Sequence, residues 1–415
     1  PTSSAKKAAV VVFDTPDDGY GEGVYIIRAF EPIANKTIEF GLMNTDGEFV
    51  KITAQINSAE GKPFQLPVGD YEGGKIISEG DNYYGAPIML KAISDKGKIC
   101  AGWTRNVPMQ LPDNVGTQNV KIYVSECPLN GMALIDEWMF GGDETDLTPE
   151  FANPELYVSN SNSNNYHSGF SNEDPLKTID LAVSKIAQLA FEQPANGKLD
   201  WTIKVVDNVY GAQTIPAEIN IPNQPNQPDN ILKIQLEDVV NSIRLTSISG
   251  DAQIDGSWWY SEGDWYYGAA TGSTPDPVSA LNILSPVPVT IDNLTVKRGH
   301  AALGGGIFID ENANITLADG VNITGNDAQE YGGGLYVNGN ACVTIADGVK
   351  IVGNTASENG GGVYVSEGAK LYMTGGIINS NKANNGSGGG IYATDNSLVV
   401  IGGSAVIGDT EITDA

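Results

Sequence analysis

The sequence predicts an all-β protein: a right-handed parallel β-helix, or solenoid, preceded by an N-terminal β-sandwich-like domain. Three observations predict it. Glycine triplets return at a constant interval in the C-terminal part, columns of aliphatic residues keep the same interval, and the N-terminal third is a series of short strand-like runs separated by turn residues.

Residues 1–140 read as the β-sandwich-like domain. Val24-Tyr-Ile-Ile-Arg, Thr37-Ile-Glu-Phe, Val50-Lys-Ile-Thr-Ala-Gln-Ile, Met89-Leu-Lys-Ala-Ile and Val120-Lys-Ile-Tyr-Val alternate or are rich in β-branched residues, with Asp-Gly, Gly-Lys and Asn-Gly between them. Residues 141–155, with Gly-Gly-Asp-Glu-Thr-Asp and then Pro149 and Pro154, read as a linker. Its acids are the composition of a solvated connector or of a calcium loop.

Residues 156–300 read as a solenoid cap and irregular early coils. After Leu156-Tyr-Val-Ser and a Ser/Asn loop, Ile179, Ala182, Val183, Ile186 and Leu189 recur at helical spacing, with Pro175 near the start. One amphipathic helix here suits a cap over the open end of a coil stack, which otherwise exposes apolar interior and bare strand edges. Strand-like runs at Trp201, Ile219, Leu232, Ile243 and Ala252 read as the early coils.

Residues 301–415 are regular. Triplets begin at Gly304, Gly332, Gly360 and Gly388, 28 residues apart. Each is followed by aliphatic, aromatic and small or aliphatic residues: Ile307-Phe308-Ile309, Leu335-Tyr336-Val337, Val363-Tyr364-Val365 and Ile391-Tyr392-Ala393. Ile315, Val343, Leu371 and Val399 form a second column, Leu317, Ile345, Met373 and Ile401 a third, and Thr316, Thr344, Tyr372 and Val400 alternate to the other face. Asn326, Asn354 and Asn381, continued by Asp409, form a polar column. The step to Asn381 is one residue short, and the residue is restored before Gly388. Three period-two segments per repeat predict three strands per coil, with like residues stacked about 4.8 Å apart. The aliphatic residue after each triplet is expected inside and the aromatic ones in an outward ladder, while glycine serves a corner that has no room for a side chain.

Composition excludes several functions. Fifty-one acidic against 23 basic residues, a net charge of −28, exclude nucleic acid as a partner because phosphates are repelled. No apolar run reaches the length of a membrane span, so no membrane insertion by this segment is expected. No cofactor is expected: the triplets lack a following Gly-Lys-Ser/Thr, which excludes a phosphate-cradling loop. No metal site is expected either, since His167 and His300 are the only histidines. Cys100 and Cys127 are candidates for one disulfide, while Cys342 lies in a strand-like run. Asn293-Leu-Thr, Asn314-Ile-Thr and Asn322-Ile-Thr match glycosylation sequons, although threonine is expected in strands anyway. The opening Pro-Thr-Ser-Ser-Ala-Lys-Lys suits a mature form with its export signal removed.

The Gly-Gly-Gly-aliphatic-Tyr-aliphatic elements, with Ile323-Thr-Gly-Asn326, Ile351-Val-Gly-Asn354 and Ile378-Asn-Ser-Asn381, resemble the repeats of bacterial polymorphic outer membrane proteins and related right-handed β-helix surface proteins. Those repeats pair Gly-Gly-aliphatic with Phe-x-x-Asn, and isoleucine stands here for phenylalanine. Leu156-Tyr-Val-Ser through Pro175-Leu-Lys-Thr-Ile-Asp-Leu-Ala is similar to the opening motif of secreted bacterial β-helix proteins. The resemblance spans residues 156–415 and implies export to the medium or the bacterial outer surface, as an adhesin, surface antigen or polysaccharide-processing enzyme.

The expected function is therefore a cell-surface or secreted scaffold for adhesion or display, with a glycan or a host surface protein as partner. The alternatives are a polysaccharide lyase or glycoside hydrolase working on a solenoid face, and a purely structural stalk. For the enzyme, Asp319 and Asp347 lie in turn-like Ala-Asp-Gly, Asp310 and Asp395 follow strand-like runs, and no catalytic pair stands out. Lys297, Arg298 and His300 form either a small cationic patch or ordinary surface. The candidate ligand-binding residues are Trp258, Trp259, Tyr260, Trp265, Tyr266 and Tyr267, in a Gly/Ser/Asp-rich insert at 256–272. Their rings either pack the insert onto the solenoid or present a recognition platform.

Overall fold

The computed structural model describes residues 9–14, 24–29, 36–43, 49–56, 69–79, 88–110, 117–123, 132–135, 148–160, 168–193, 196–222, 231–257, 259–261, 264–266 and 278–408. The chain divides into two compact units, 1–151 and 152–415. In the first, the described strands pair antiparallel in several places: Ala9–Asp14 with Val24–Ala29, Lys36–Met43 with Phe49–Ile56, Ile99–Gln110 with Thr117–Tyr123, Met132–Ile135 with Ile88–Ser94, and Gly74–Glu79 between Gly69–Tyr71 and Ile88–Ser94. The five runs expected as strands are all present. The expected linker is corrected in part, because Thr148–Ala152 is a strand beside Ile99–Gln110 and Glu155–Val158 already belongs to the solenoid. Residues 141–147 and Cys127 lie outside the described residues, as does the disulfide expected to involve Cys127. Burial pushes the Cys100 thiol up to about 11.

The second unit is a parallel β-helix of four stacked sheets. Sheet 1 runs from Glu155–Val158 through Leu199–Val205, Val240–Ser247, Val289–Asp292, Asn314–Leu317, Cys342–Ile345 and Lys370–Met373 to Leu398–Ile401. Sheet 2 runs from Val209–Tyr210 to Val406–Ile407 and sheet 4 from Gln213–Ile215 to Ile391–Ala393. Sheet 3 is the shortest and contains His300–Leu303, Asp327–Tyr331, Thr355–Ala356 and Lys382–Ala383. This corrects the expectation of three strands per coil. The fourth strand turns only one small side chain inward, Ala301, Ala328 and Ala356 in successive coils, and so carries no aliphatic alternation to read. A second correction concerns Glu218–Pro222 and Ile231–Gln235, which form an antiparallel hairpin rather than coil strands.

The columns stack as their period requires. Ile307 pairs with Leu335, Leu335 with Val363 and Val363 with Ile391, and the first three are fully buried. Phe308, Tyr336, Tyr364 and Tyr392 point outward as a half-buried stack. The first glycine of each triplet takes a left-handed conformation, φ 65, 73, 70 and 71°. The second has no room for a Cβ: one on Gly333 would strike the carbonyl oxygens of Thr355 and Gly361. Backbone hydrogen bonds therefore cross the corner directly, as from Gly333 N to Gly360 O (3.1 Å) and Gly362 N to Gly389 O (2.9 Å).

Between sheets 2 and 3 the asparagines build a buried ladder. Asn326 Nδ2 donates to Asn354 Oδ1 (2.9 Å) and Val296 O (3.1 Å), and Asn354 Nδ2 donates to Asn381 Oδ1 (3.0 Å) and Ile323 O (2.9 Å). Each amide thus satisfies a neighbour and a backbone carbonyl in a place closed to water.

Helix α1, Ile179–Glu192, closes the N-terminal end of the stack. Thr178 caps it by accepting from Leu181 N (3.2 Å), and buried Gln213 of sheet 4 accepts from Ile179 N (2.9 Å). Ile179, Ala182, Val183, Ile186 and Ala187 are buried against the first strands of sheets 1 and 4. Glu192 ends the helix in an unfavourable place: its last turn has no basic residue, and Oε1 is buried without a hydrogen-bond partner. Burial raises its carboxyl to about 7, against a smaller opposing pull from Gln188 and Lys185. At the other end of the stack the interior comes to light, as Met373 is 1% exposed and Ile401 below it 51%.

Two outcomes follow from this packing. Asn354→Ala removes both rungs of the asparagine ladder and is expected to cost about 2 kcal/mol of stability by denaturant unfolding; an unchanged midpoint would show the ladder to be dispensable. Glu192 is held above its unfolded value of 4.5, so its neutral form contributes stability below about pH 4.5 that is lost as pH rises through about 7. Glu192→Gln should therefore raise the thermal midpoint at pH 8 and leave it nearly unchanged at pH 4.

Candidate functional site

The aromatic insert leaves the solenoid after Asp255 and returns at Val278, between a strand of sheet 2 and the sheet 4 strand Leu281–Ile283. In the regular coils that interval holds the sheet 3 strand. Val278 forms an antiparallel bridge with His300, the first residue of sheet 3. The insert thus takes, in chain order, the place that a sheet 3 strand takes in the regular coils.

Within the insert, Trp259–Ser261 and Asp264–Tyr266 pair as an antiparallel hairpin, with Trp259 opposite Tyr266 and Tyr260 opposite Trp265. This is a separate two-stranded sheet that joins none of the four coil sheets. The structure therefore brings four of the six candidate residues, Trp259, Tyr260, Trp265 and Tyr266, into two cross-strand pairs. Trp258 and Tyr267 lie outside the described residues.

The foot of the insert is built around Asp255, which is 0% exposed. Its Oδ1 accepts from Ser257 N (3.1 Å), Ser257 Oγ (2.6 Å) and Arg298 Nε (3.0 Å), and its Oδ2 pairs with Arg298 Nη2. Lys297 Nζ lies 3.8 Å from Oδ2, and its pKa is lowered by burial first and by Arg298 second. Arg298 occupies the corner between sheets 2 and 3 at φ 53°, where the coils below have Gly325, Gly353 and Ser380, also at positive φ. An arginine in that conformation costs roughly 1 kcal/mol relative to glycine. The bidentate pair with a buried carboxylate offsets that cost. Gly256 and Gly299 let the strands close here, because a Cβ on Gly256 would strike Arg298 O and Gly299 Cα.

Beside this foot, His300 Nδ1 lies 2.9 Å from Asp327 Oδ2, and its Nε2 lies 3.2 Å from Gln329 Nε2. The Gln329 amide nitrogen can only donate, so a neutral His300 imidazole in this arrangement accepts at Nε2 and donates from Nδ1 to Asp327. The residues expected as a cationic patch or plain surface are thus divided: Arg298 and Lys297 serve Asp255, and His300 serves the first two strands of sheet 3. Asp255 was not legible as a functional residue, since Gln-Ile-Asp ends an ordinary strand and only the corner places Arg298 over it.

A second buried carboxylate, Asp292, lies on sheet 1. It accepts from Arg244 Nε (2.7 Å), Arg244 Nη2 (3.1 Å), Thr246 Oγ1 (2.5 Å) and Asn293 Nδ2 (3.0 Å). These bonds and the Arg244 charge outweigh burial and hold its carboxyl below the usual range. Asp319 and Asp347 are exposed turn residues. The described carboxyls with raised pKa, Asp180 and Glu192, both belong to α1. Among the described residues no group of three or more His, Cys, Asp or Glu is placed to hold a metal ion.

No family model matches this chain, and no curated protein and no solved structure is significantly similar to it.

Arg298→Ala leaves Asp255 buried with Lys297 as its only cation and is expected to cost about 3 kcal/mol by denaturant unfolding. The double variant Asp255→Asn/Arg298→Gly removes the charge and the strained conformation together and should lose much less. Equal losses would overturn the assignment of Arg298 to Asp255.

Proposed function

We propose that this chain is a secreted or surface-displayed binding scaffold, in which a rigid β-solenoid presents an aromatic hairpin for recognition of a glycan. The observation that carries the reading is the pairing of Trp259 with Tyr266 and Tyr260 with Trp265 in a sheet of their own. A two-stranded hairpin is marginal alone and gains its position from what it stands on. Here the chain enters it from a corner closed by a buried ion pair and two glycines. Tryptophan and tyrosine offer large contact area at low rotamer cost, with an N–H or O–H for a polar partner, a combination enriched at recognition surfaces. The repeat resemblance supports an exported, surface-associated role, and the excess of acidic residues favours solubility there.

Binding is favoured over hydrolysis by the state of the carboxylates near the hairpin. A glycosidase needs one carboxylic acid held protonated beside a second carboxylate. Asp255 has both oxygens engaged by Arg298 and Ser257, and Asp292 is held ionised by Arg244. The carboxyls raised by burial sit on the cap helix.

The test is a glycan array, followed by calorimetry on any hit, with the full chain and with Trp258→Ala/Trp259→Ala/Trp265→Ala. The reading expects binding by the parent chain and at least a tenfold loss in the variant, roughly the effect of losing one recognition-site aromatic, with an unchanged thermal midpoint. Undiminished binding by a folded variant ends the hairpin's role. A lowered midpoint, with the several kcal/mol of lost stability that truncating buried rings costs, assigns the aromatics to packing instead.

A further inference from the structure

Five asparagines stand directly before a glycine: Asn130, Asn196, Asn338, Asn359 and Asn385. In that dipeptide the asparagine side chain is open to attack by the next main-chain nitrogen, because glycine puts no side chain in the way. The structure treats the pairs differently. Asn338 Nδ2 donates to Asp310 Oδ1 (3.0 Å), and Gly339 N donates to Ser366 Oγ (2.9 Å). Asn359 Oδ1 accepts from Ser387 N (2.7 Å), and Gly360 N donates to Ser387 O (3.0 Å). Asn196 donates from N to Gln193 O (3.1 Å) and from Nδ2 to Gln193 Oε1 (3.3 Å). Asn130 lies outside the described residues.

Asn385 is the exception, and the repeat gives the reason. Gly332 and Gly360 follow the ladder asparagines Asn326 and Asn354 by six residues, whereas Gly388 follows Asn381 by seven. Backbone pairing locates the extra residue. Ala383 pairs with Ala356, Asn384 N bonds to Ala356 O (2.8 Å), and Asn385 N bonds to Ser357 O (2.8 Å). Ser387 O then accepts from Gly360 N as Asn359 O accepts from Gly332 N (3.1 Å). Gly386 is the residue left over, and an extra residue in a strand pairing goes unpaired. Neither the Gly386 N–H nor the Asn385 side-chain amide bonds to another described residue, and residues 384–387 are exposed. A Cβ on Gly386 would strike Asn359 Oδ1 and Glu358 O, so this close approach to the neighbouring coil requires glycine.

We propose that Asn385 is a site of spontaneous modification in the folded protein, deamidating through attack by the Gly386 nitrogen. That nitrogen gives its proton to hydroxide and forms a bond to Asn385 Cγ. The Cγ–Nδ2 bond breaks, and Nδ2 takes up a proton from water and leaves as ammonia. Water then opens the five-membered succinimide. Breaking the bond from the ring nitrogen to Cγ gives aspartate, and breaking its bond to the main-chain carbonyl carbon gives isoaspartate. Nothing is oxidised or reduced, and water is the co-reactant. At Asn338 and Asn359 the coil must first open locally to release both hydrogen bonds, which lowers the reactive population. Either product adds a negative charge to an exposed surface. Isoaspartate also adds a methylene to the main chain, in the connection that already runs one residue long.

Peptide mapping by mass spectrometry tests this on the full chain held at mildly alkaline pH, folded in buffer or unfolded in guanidinium chloride. In the unfolded chain Asn338, Asn359 and Asn385 are expected to react at similar rates, since each is followed by glycine. In the folded chain Asn385 should keep most of that rate, while Asn338 and Asn359 fall about tenfold or more below it, the factor that an opening cost of about 1.4 kcal/mol imposes. Isoaspartate should exceed aspartate at position 385, and the rate should rise with pH because the attacking nitrogen must lose its proton. Asn385→Gln, whose longer side chain would have to close a six-membered ring, should leave this peptide unchanged over the same period. Equal folded-state rates at the three sites, protection of Asn385 by tenfold relative to the unfolded chain, or aspartate as the sole product overturns the proposal.

Discussion

The structure of the second unit depends on one constraint: each coil must lay its backbone directly on the next, so that the hydrogen bonds of every strand close between coils. Where strands are long this is ordinary sheet pairing. At the glycine corner it is more demanding, because carbonyl oxygens of the neighbouring triplet and of sheet 3 occupy the space a Cβ would need. Glycine there gives up side-chain contact and chain rigidity, and the outward aromatic stack covers the bare backbone in return. Tyr331 and Tyr364 meet across this corner, linking sheets 3 and 4 where the chain has no side chains to pack.

The asparagine ladder answers the same constraint at the opposite turn. A buried corner leaves carbonyls such as Val296 O and Ile323 O turned inward, and the stacked amides satisfy them while bonding one another. The top of the ladder shows how the pattern gives way to the insert. Gly299 stands where an asparagine would be expected and donates its N–H to Asn326 Oδ1 (2.9 Å). One residue earlier, Arg298 replaces the usual glycine or serine and turns its side chain onto Asp255. The departure from the repeat at Arg298 and Gly299 thus falls at the foot of the insert.

The two ends of the stack meet the constraint differently. At the N-terminal end α1 supplies apolar side chains in place of a preceding coil and leaves Glu192 buried at the wrong pole of the helix. At the last described coil the inward columns are exposed, with Ile401 and Ile407 both more than 40% accessible. Both surfaces are consequences of stacking itself, since only a neighbouring element can hide a coil's interior.

From the sequence alone, the period, the inward and outward columns, the glycine corners, the asparagine ladder and the cap helix were determined, because each repeats or alternates with a physical period that side-chain chemistry makes visible. The fourth strand was not, since one inward alanine carries no periodic signal. Nor was the antiparallel pairing of Glu218–Pro222 with Ile231–Gln235, because a short apolar run reads the same in a hairpin as in a coil. The aromatic insert was legible as composition, through three of six tryptophans within eight residues. Its pairing as a hairpin and the Asp255–Arg298 pair at its foot were decided only by the tertiary structure. Residues 43 positions apart in the chain became neighbours through the stacking of two coils, and the local pattern around Asp255 contains nothing that names its partner.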